Sequence, residues 1–407
     1  MMASKYVFLT LPAYGHVNPT LAVAEELVKR GQEVIYYLSD PFQEAVQATG
    51  AGFRRYDSQL EHISPVAITY GIPGGILARM VDESRHVLPQ VLDRIRAEQP
   101  SCIVYETMCV WARIVVQALN VPALTLRASY AMNEHVNVFT MTAPGQSEAL
   151  QGRSEAMEKI STELRTLCEK YHVPPFDLRG AFTHAEQLNV VFLPREFQPS
   201  GGAFDDRYVF VGPSILARHE ASDFPLGKLN SERPILYISL GTVFNNQPEF
   251  FKRCFEAFGE TLWQVVLSRG RNVGSADLGA VPDNFLASAY VPQLDILKRA
   301  RVFVTHSGMN STMESLYYGV PMVCIPQMIE QKITALRIAD MGLGIMLETA
   351  AVNVTTLREA VERVAHDVTM CERVRQMQQI TRDAGGYQRA VEAIMQFAQN
   401  QPSVHRG

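Results

Sequence analysis

Several things are missing from this 407-residue chain. It has no excess of positive charge: 37 Lys and Arg against 42 Asp and Glu give a formal net charge of -5, which supplies no general basic field for nucleic acid. No apolar run approaches the length of a membrane span. Residues 1–5 carry no signal-peptide pattern, because a strand pattern starts at Tyr6, so a cytoplasmic protein without stable membrane association is expected. The cysteines, at 102, 109, 168, 254, 324 and 371, show neither CxxC nor metal-ligand spacing, and several sit in apolar runs. Buried, reduced thiols are the simplest reading. There is no Asp-x-Asp triplet, no low-complexity tract and no short-period repeat.

What is present is ample core. Hydrophobic residues make up 47% and charged residues 19%, as in a soluble globular protein, and the length fits two domains. Residues 6–11, YVFLTL, read as a strand apolar on both faces, as in a covered parallel sheet. A loop over 12–17 follows, with Asn18 as N-cap and Pro19 at the first position of a helix that ends near Gly31. The strand 33–38 completes a βαβ unit, and the fold class is doubly wound α/β. The first turn has no GxGxxG, which argues against a nicotinamide or flavin site.

A second α/β series begins at Ile235, after a polar, Pro-containing segment that reads as a linker. Its most informative stretch is RVFVTHSGMNSTMESLYYGVPMVCIPQMIEQKITALR, residues 301–337. A short strand breaks at Thr305-His306-Ser307-Gly308 and a helix starts near Met309. The opening turn of a helix presents unpaired amides and the positive end of the peptide dipole, which attract a phosphate. His306 adds a donor, Gly308 permits close approach, and Asn310 and Ser311 put short polar groups on that turn. Glu314 follows, suited to the vicinal hydroxyls of a ribose. Another strand and loop deliver Glu330 and Gln331, an acid and an amide suited to sugar hydroxyls. The alternative is a capping box, Ser311 to Glu314, which needs no ligand. Upstream, Gly241-Thr242 after the strand 235–240 offers a further phosphate contact, and Tyr290 is either a base-stacking ring or a strand-end tyrosine.

In the first domain, His16 lies near a helix start, where the dipole disfavours the imidazolium and keeps a neutral base available. It either takes a proton from an alcohol or only bonds its own loop. A base that turns cationic needs a carboxylate behind it. Glu106, after the strand 102–105, is the candidate, the alternative being a solvated strand-end acid. Residues 58–90 lack a clean period and read as turn-rich loops over a site. The stretches 63–77 and 128–141 are either an acceptor pocket or core. Ser129, after the strand 123–126, is a weaker diphosphate contact.

Four elements in register, Tyr290-Val291-Pro292-Gln293, His306 to Glu314, Gly319-Val320-Pro321 and Glu330-Gln331, resemble the donor-sugar signature of the family 1 glycosyltransferases, particularly bacterial macrolide and flavonoid glucosylating members. Pro12-Ala13-Tyr14-Gly15-His16-Val17-Asn18-Pro19 is similar to that family's amino-terminal motif, whose histidine is the general base. The resemblance spans nearly the whole chain. It departs at Glu106, where the family usually has aspartate, and at Tyr290, where many relatives have tryptophan.

The resemblance implies the GT-B arrangement, two Rossmann-like domains facing each other across a cleft. Residues 1–216 would bind the acceptor, 217–234 link, 235–384 bind the nucleotide sugar, and 385–407 form a helix returning to the first domain. It implies an inverting hexosyltransferase moving a sugar from a UDP-sugar to a hydrophobic small-molecule alcohol, with His16 as base and Glu106 behind it. Thr242, Tyr290, Val291, Gln293, His306, Gly308, Asn310, Ser311, Glu314, Glu330 and Gln331 would hold the donor, UDP being favoured by the family and glucose by Gln331. No metal or other cofactor is expected, since helix amides, His306, Ser311 and Thr242 would take the leaving charge. A sugar-nucleotide epimerase, a noncatalytic nucleotide-sugar sensor and a membrane-surface lipid transferase are the competing readings.

Overall fold

Strand β1 (Lys5–Leu9) sends Tyr6 and Phe8 to one face of a sheet and Val7 and Leu9 to the other, all buried. A strand apolar on both sides must be covered on both, which is why helices flank it front and back. The computed structural model describes residues 4–60, 75–137, 149–216, 224–230, 232–242 and 245–401. The chain divides into two units, one formed by Met1–Ile215 with Ala384–Gly407, the other by Leu216–Asp383.

The first unit is built on a seven-stranded parallel sheet. With β2 (Glu33–Leu38), β3 (Gly52–Arg55), β4 (Cys102–Glu106), β5 (Ala123–Arg127), β6 (Asn189–Val191) and β7 (Tyr208–Phe210), the order is β3-β2-β1-β4-β5-β6-β7. One face packs on the helices Gly75–Glu98, Val110–Leu119 and Ala149–Lys170. The other packs on Tyr14–Lys29 and on the last helix, Gly386–Asn400, whose Ala390, Val391 and Ile394 are fully buried. Gly385, at φ +95°, breaks the chain from the preceding helix, and the Gly386 amide donates to the Val211 carbonyl at 2.6 Å. The final helix is thereby fastened to the first unit.

The second unit has a six-stranded parallel sheet of the same kind. Its strands are β8 (Ile235–Ser239), β9 (Gln264–Ser268), β10 (Phe285–Ser288), β11 (Ala300–Thr305), β12 (Met322–Cys324) and β13 (Gly344–Met346), in the order β10-β9-β8-β11-β12-β13. In each sheet the order reverses once, between β1 and β4 and between β8 and β11. Such a reversal opens a crevice at the carboxyl ends of the two strands, where ligands of doubly wound sheets bind.

Two sequence expectations are corrected. Residues 75–90 are not loop: the helix Gly75–Glu98 runs through them and buries Met80, Val81, Ser84, Val87, Leu88, Val91 and Ile95, a stripe at helical spacing. Pro89 inside it removes one backbone donor and hides the pattern, but packing of this face outweighs the loss. The first helix starts at Tyr14, with Ala13 as its extended N-cap, so Asn18 is not a cap and Pro19 lies within the helix. The cause is a tight turn, Ala13 amide to Leu11 carbonyl at 2.7 Å, which commits the chain to helix directly after β1. Of the two acceptor stretches, residues 63–74 and 138–141 lie outside the described residues. Of the remainder, Ala128, Tyr130, Ala131, Met132 and Val136 are buried.

Candidate active site

In the first unit, the tight turn after β1 places His16 in the opening turn of its helix, with the His16 and Val17 amides both on the Ala13 carbonyl at 2.9 and 3.0 Å. Glu106 is the last residue of β4, next to β1 in the sheet. The two side chains meet at the switch point, His16 Nδ1 lying 3.3 Å from Glu106 Oε2. The imidazole is 25% exposed and the carboxylate 5%, so the acid sits beneath the ring and the ring borders solvent. The extra methylene of glutamate spans the gap. A carboxylate facing Nδ1 favours the tautomer with the proton on that nitrogen and leaves Nε2 as the basic one.

Beneath this pair lies Cys109, whose thiol is pushed well above its ordinary value by burial and by the nearby carboxylates of Glu106 and Glu83. It stays protonated and is no nucleophile. All six cysteines are free, five of them buried. Ser129 is half-buried just beyond β5, in this same unit.

In the second unit, the loops after β8 and β11 meet at the other switch point. His306 follows β11, and its ring lies in a slot between two glycines. A Cβ on Gly241, which has φ +79°, would fall 2.5 Å from ring atoms Cε1 and Nε2, and one on Gly308 would fall 2.5 Å from Nε2. Between His306 and Gly308 the chain turns through Ser307 at φ +65°, a left-handed conformation uncommon for a residue with a side chain. Burial lowers the His306 pKa from 6.5 to about 4, against the smaller opposing effect of a hydrogen bond to the Ser239 backbone, so at neutral pH the ring is uncharged. Thr242, next to Gly241, is exposed.

The helix Met309–Tyr318 starts at Gly308, and no side chain caps its first turn. The capping box is therefore not what forms. Ser311 is the third residue inside the helix, and its Oγ and Glu314 Oε2 both accept from Gln293 Nε2, the serine contact being 3.2 Å. Opening amides without a side-chain cap beside a neutral histidine and a glycine are the chemistry that can receive an anion. Asn310 is half-buried on the same turn. Gly319, at φ +74°, closes the helix as its left-handed C-cap.

Tyr290 is 41% exposed beyond β10, whereas the adjacent Val291 is buried. Gln293 starts a short helix, Gln293–Leu297, and turns its side chain toward Glu314. At the start of the helix Ile329–Asp340, Glu330 is exposed and Gln331 is buried, its Oε1 accepting from the Gln327 amide at 2.8 Å. That bond leaves the Gln331 amide nitrogen to serve as donor.

Sequence reasoning missed Tyr237, which sits in the apolar run of β8 and donates its hydroxyl to Gln293 Oε1 at 3.0 Å. The only signal was the rule that a buried tyrosine hydroxyl finds a partner. Among the described residues, no group of three or more His, Cys, Asp or Glu side chains is placed to hold a metal ion. No helix among them is long and apolar enough to cross a membrane.

The family model described as UDP-glucoronosyl and UDP-glucosyl transferase matches residues 221–391. The chain is 38% identical over 390 residues to the NDP-glycosyltransferase YjiC of Bacillus subtilis (strain 168), covering 96% of each. It is 31% identical over 399 residues to the oleandomycin glycosyltransferase of Streptomyces antibioticus, covering 95% of this chain and 89% of that one. Among solved structures it is similar to CalG4, the calicheamicin glycosyltransferase, with a TM-score of 0.81 and 30% identity over 98% of this chain and 99% of that one.

Proposed function

The chain belongs to the family 1 glycosyltransferases, its parallel-sheet α/β domains being of the GT-B type, and from that premise we propose that it transfers glucose from UDP-glucose to a hydroxyl of a hydrophobic natural product such as a macrolide, flavonoid or other phenol, with inversion. The observation that carries the chemistry is the His16–Glu106 pair at the switch point of the first sheet. His16 Nε2 takes the acceptor's proton as its oxygen attacks the anomeric carbon from the side opposite the diphosphate. The C–O bond to the acceptor forms as the bond to the leaving phosphate oxygen breaks, so an α-linked donor gives a β-glycoside. Glu106 steadies the imidazolium while it lasts.

The second unit holds the donor in this proposal. The opening amides of the Met309–Tyr318 helix and the neutral His306 receive the diphosphate, with Thr242 and Ser311 as hydroxyl donors nearby. Glu314 takes the ribose hydroxyls, Tyr290 stacks on the base, and Glu330 and Gln331 address the sugar. A donor aimed at developing charge is worth about 10²–10³ in kcat, enough for these groups to stand in for a cation. Transfer is therefore proposed to be metal-independent. Oleandomycin glycosyltransferase and CalG4 are named for natural-product acceptors, which supports an acceptor of that class here.

The test is to incubate the protein with a panel of nucleotide sugars and of phenolic and macrolide alcohols, weigh the products by mass spectrometry, and read the anomeric configuration by NMR. A product heavier by one hexose, β-linked and formed equally in EDTA, is the expected result. An α-glycoside, or activity that EDTA abolishes and a divalent ion restores, would refute the mechanism. Donor turnover without any added alcohol would point to an epimerase.

A further inference from the structure

The slot that holds His306 is part of a longer stack across the ends of β9, β8 and β11. Gly308, after β11, lies against the imidazole, and the imidazole lies against Gly241, after β8. Gly241 also meets Asn245, whose Nδ2 donates to the Gly241 carbonyl at 2.8 Å. Asn245 is 3% exposed and backs onto Gly270, after β9, where a Cβ would fall 2.2 Å from the same Nδ2. Two side chains are thus interleaved with three glycines, in the order in which the strands lie in the sheet.

In a trans peptide the carbonyl and the N–H point in opposite directions. Asn245 draws the Gly241 carbonyl toward the β9 side. The Thr242 N–H belongs to the same peptide and therefore faces the β11 side, where His306 and the first turn of Met309–Tyr318 lie. The opposite setting would present the carbonyl oxygen there and repel an anion. Gly241, at φ +79° and without a Cβ, resists neither setting by itself. Its own amide, which donates to Ser239 Oγ at 3.3 Å, fixes the preceding peptide and not this one. Turning the Asn245 amide over would set oxygen against oxygen, so the buried side chain holds the carbonyl in one way only.

We infer that Asn245 is a positioning residue for the diphosphate: it locks the peptide between Gly241 and Thr242 with the Thr242 N–H turned toward the anion. The inference rests on the proposed donor role of the second unit and goes past it in giving a task to a buried side chain outside that set of contacts. A donor already aimed needs no reorganisation when the charge arrives. A hydrogen bond to a charged group is worth about tenfold to a hundredfold in affinity.

The experiment is binding of UDP and of uridine to the full chain, carrying isotopically labelled threonine and followed by NMR, as wild type, Asn245→Asp and Asn245→Leu. In wild type, UDP but not uridine should move the Thr242 amide proton downfield. Asn245→Asp sets a carboxylate against the Gly241 carbonyl and should turn the peptide over. UDP should then bind about tenfold to a hundredfold more weakly, uridine as before, and the downfield shift should vanish. Asn245→Leu frees the carbonyl without repelling it and should act in the same direction, and it decides the matter if Asn245→Asp does not fold. Equal weakening of both ligands would mean that Asn245 only supports its loop, and would overturn the inference. Undiminished UDP affinity in the variants, or a wild-type Thr242 amide that UDP leaves unmoved, would overturn it while leaving the donor site intact. Binding of neither ligand to wild type would remove the donor reading along with it.

Discussion

His16 Nδ1 lies 3.3 Å from Glu106 Oε2: Glu106 ends one of the two strands between which the first sheet reverses its order, and His16 opens the helix that follows the other. If the imidazole is the base, His16→Ala should lower kcat by about 10²–10⁴ while leaving the affinity for UDP unchanged, since the proposed donor contacts lie in the second unit. Glu106→Gln should lower kcat less, because the base survives and only its orientation and charge stabilisation are lost. Steady-state kinetics with calorimetry on the same samples would check both. Wild-type turnover in His16→Ala would require another base.

The slot around His306 yields a second expectation. Gly241→Ala and Gly308→Ala each drive a methyl against the imidazole, and Gly241 also has a left-handed backbone that costs a residue with a Cβ about 1–2 kcal/mol. Displacing the ring should weaken UDP binding about tenfold or more in either variant. Titration of UDP, followed by tryptophan fluorescence or calorimetry, would measure this. Unaltered affinity in both would place the diphosphate elsewhere.

Stability should fall in mild acid through the same ring. His306 has its pKa lowered by burial to about 4 from an ordinary 6.5, so between those values the unfolded chain binds a proton that the folded chain refuses. The contribution is present above pH 6.5 and is lost as pH falls toward 4, by at most about 3 kcal/mol. Denaturant unfolding at several values in this window, compared with His306→Asn, should show a shallower pH slope in the variant.

The helix Gly386–Asn400 carries a packing prediction. Ile394 is fully buried against the first sheet's helix layer, and Ile394→Ala should cost the first unit about 2–5 kcal/mol. Amide hydrogen exchange would locate the loss, which should fall on β1 and on the helix Tyr14–Lys29 and spare the strands β8–β13.

Much of this was legible beforehand, and the reasons are local. Strands such as β1, β2, β4, β5, β8, β11 and β12 stood out because a doubly covered strand is apolar on both faces, as in Tyr6 to Leu9, whereas the short β3, β10 and β13 did not. His306 to Glu314 were marked by the strand, loop and helix grammar of the segment. The helix Gly75–Glu98 was obscured because Pro89 and the neighbouring glycines are local signals, whereas its existence depends on a face buried by tertiary contacts. The start of the first helix was misplaced because Asn18-Pro19 is a good opening in isolation, yet the turn at Leu11–Ala13 acts earlier in the chain. Tyr237 was invisible for a different reason: in a run of strand residues, nothing in the one-dimensional pattern marks the one whose hydroxyl meets Gln293.

The fastening of the last helix to the first unit makes the second unit an insertion between two pieces of the first, with joints near 215 and 384. Anyone grafting the second unit of a relative onto this first unit must therefore cut twice and keep this chain's own final helix. A single crossover near the first joint would import a foreign helix onto Ala390's seat beside the Tyr14–Lys29 helix, and the hybrid would fail through mismatched packing rather than through lost chemistry.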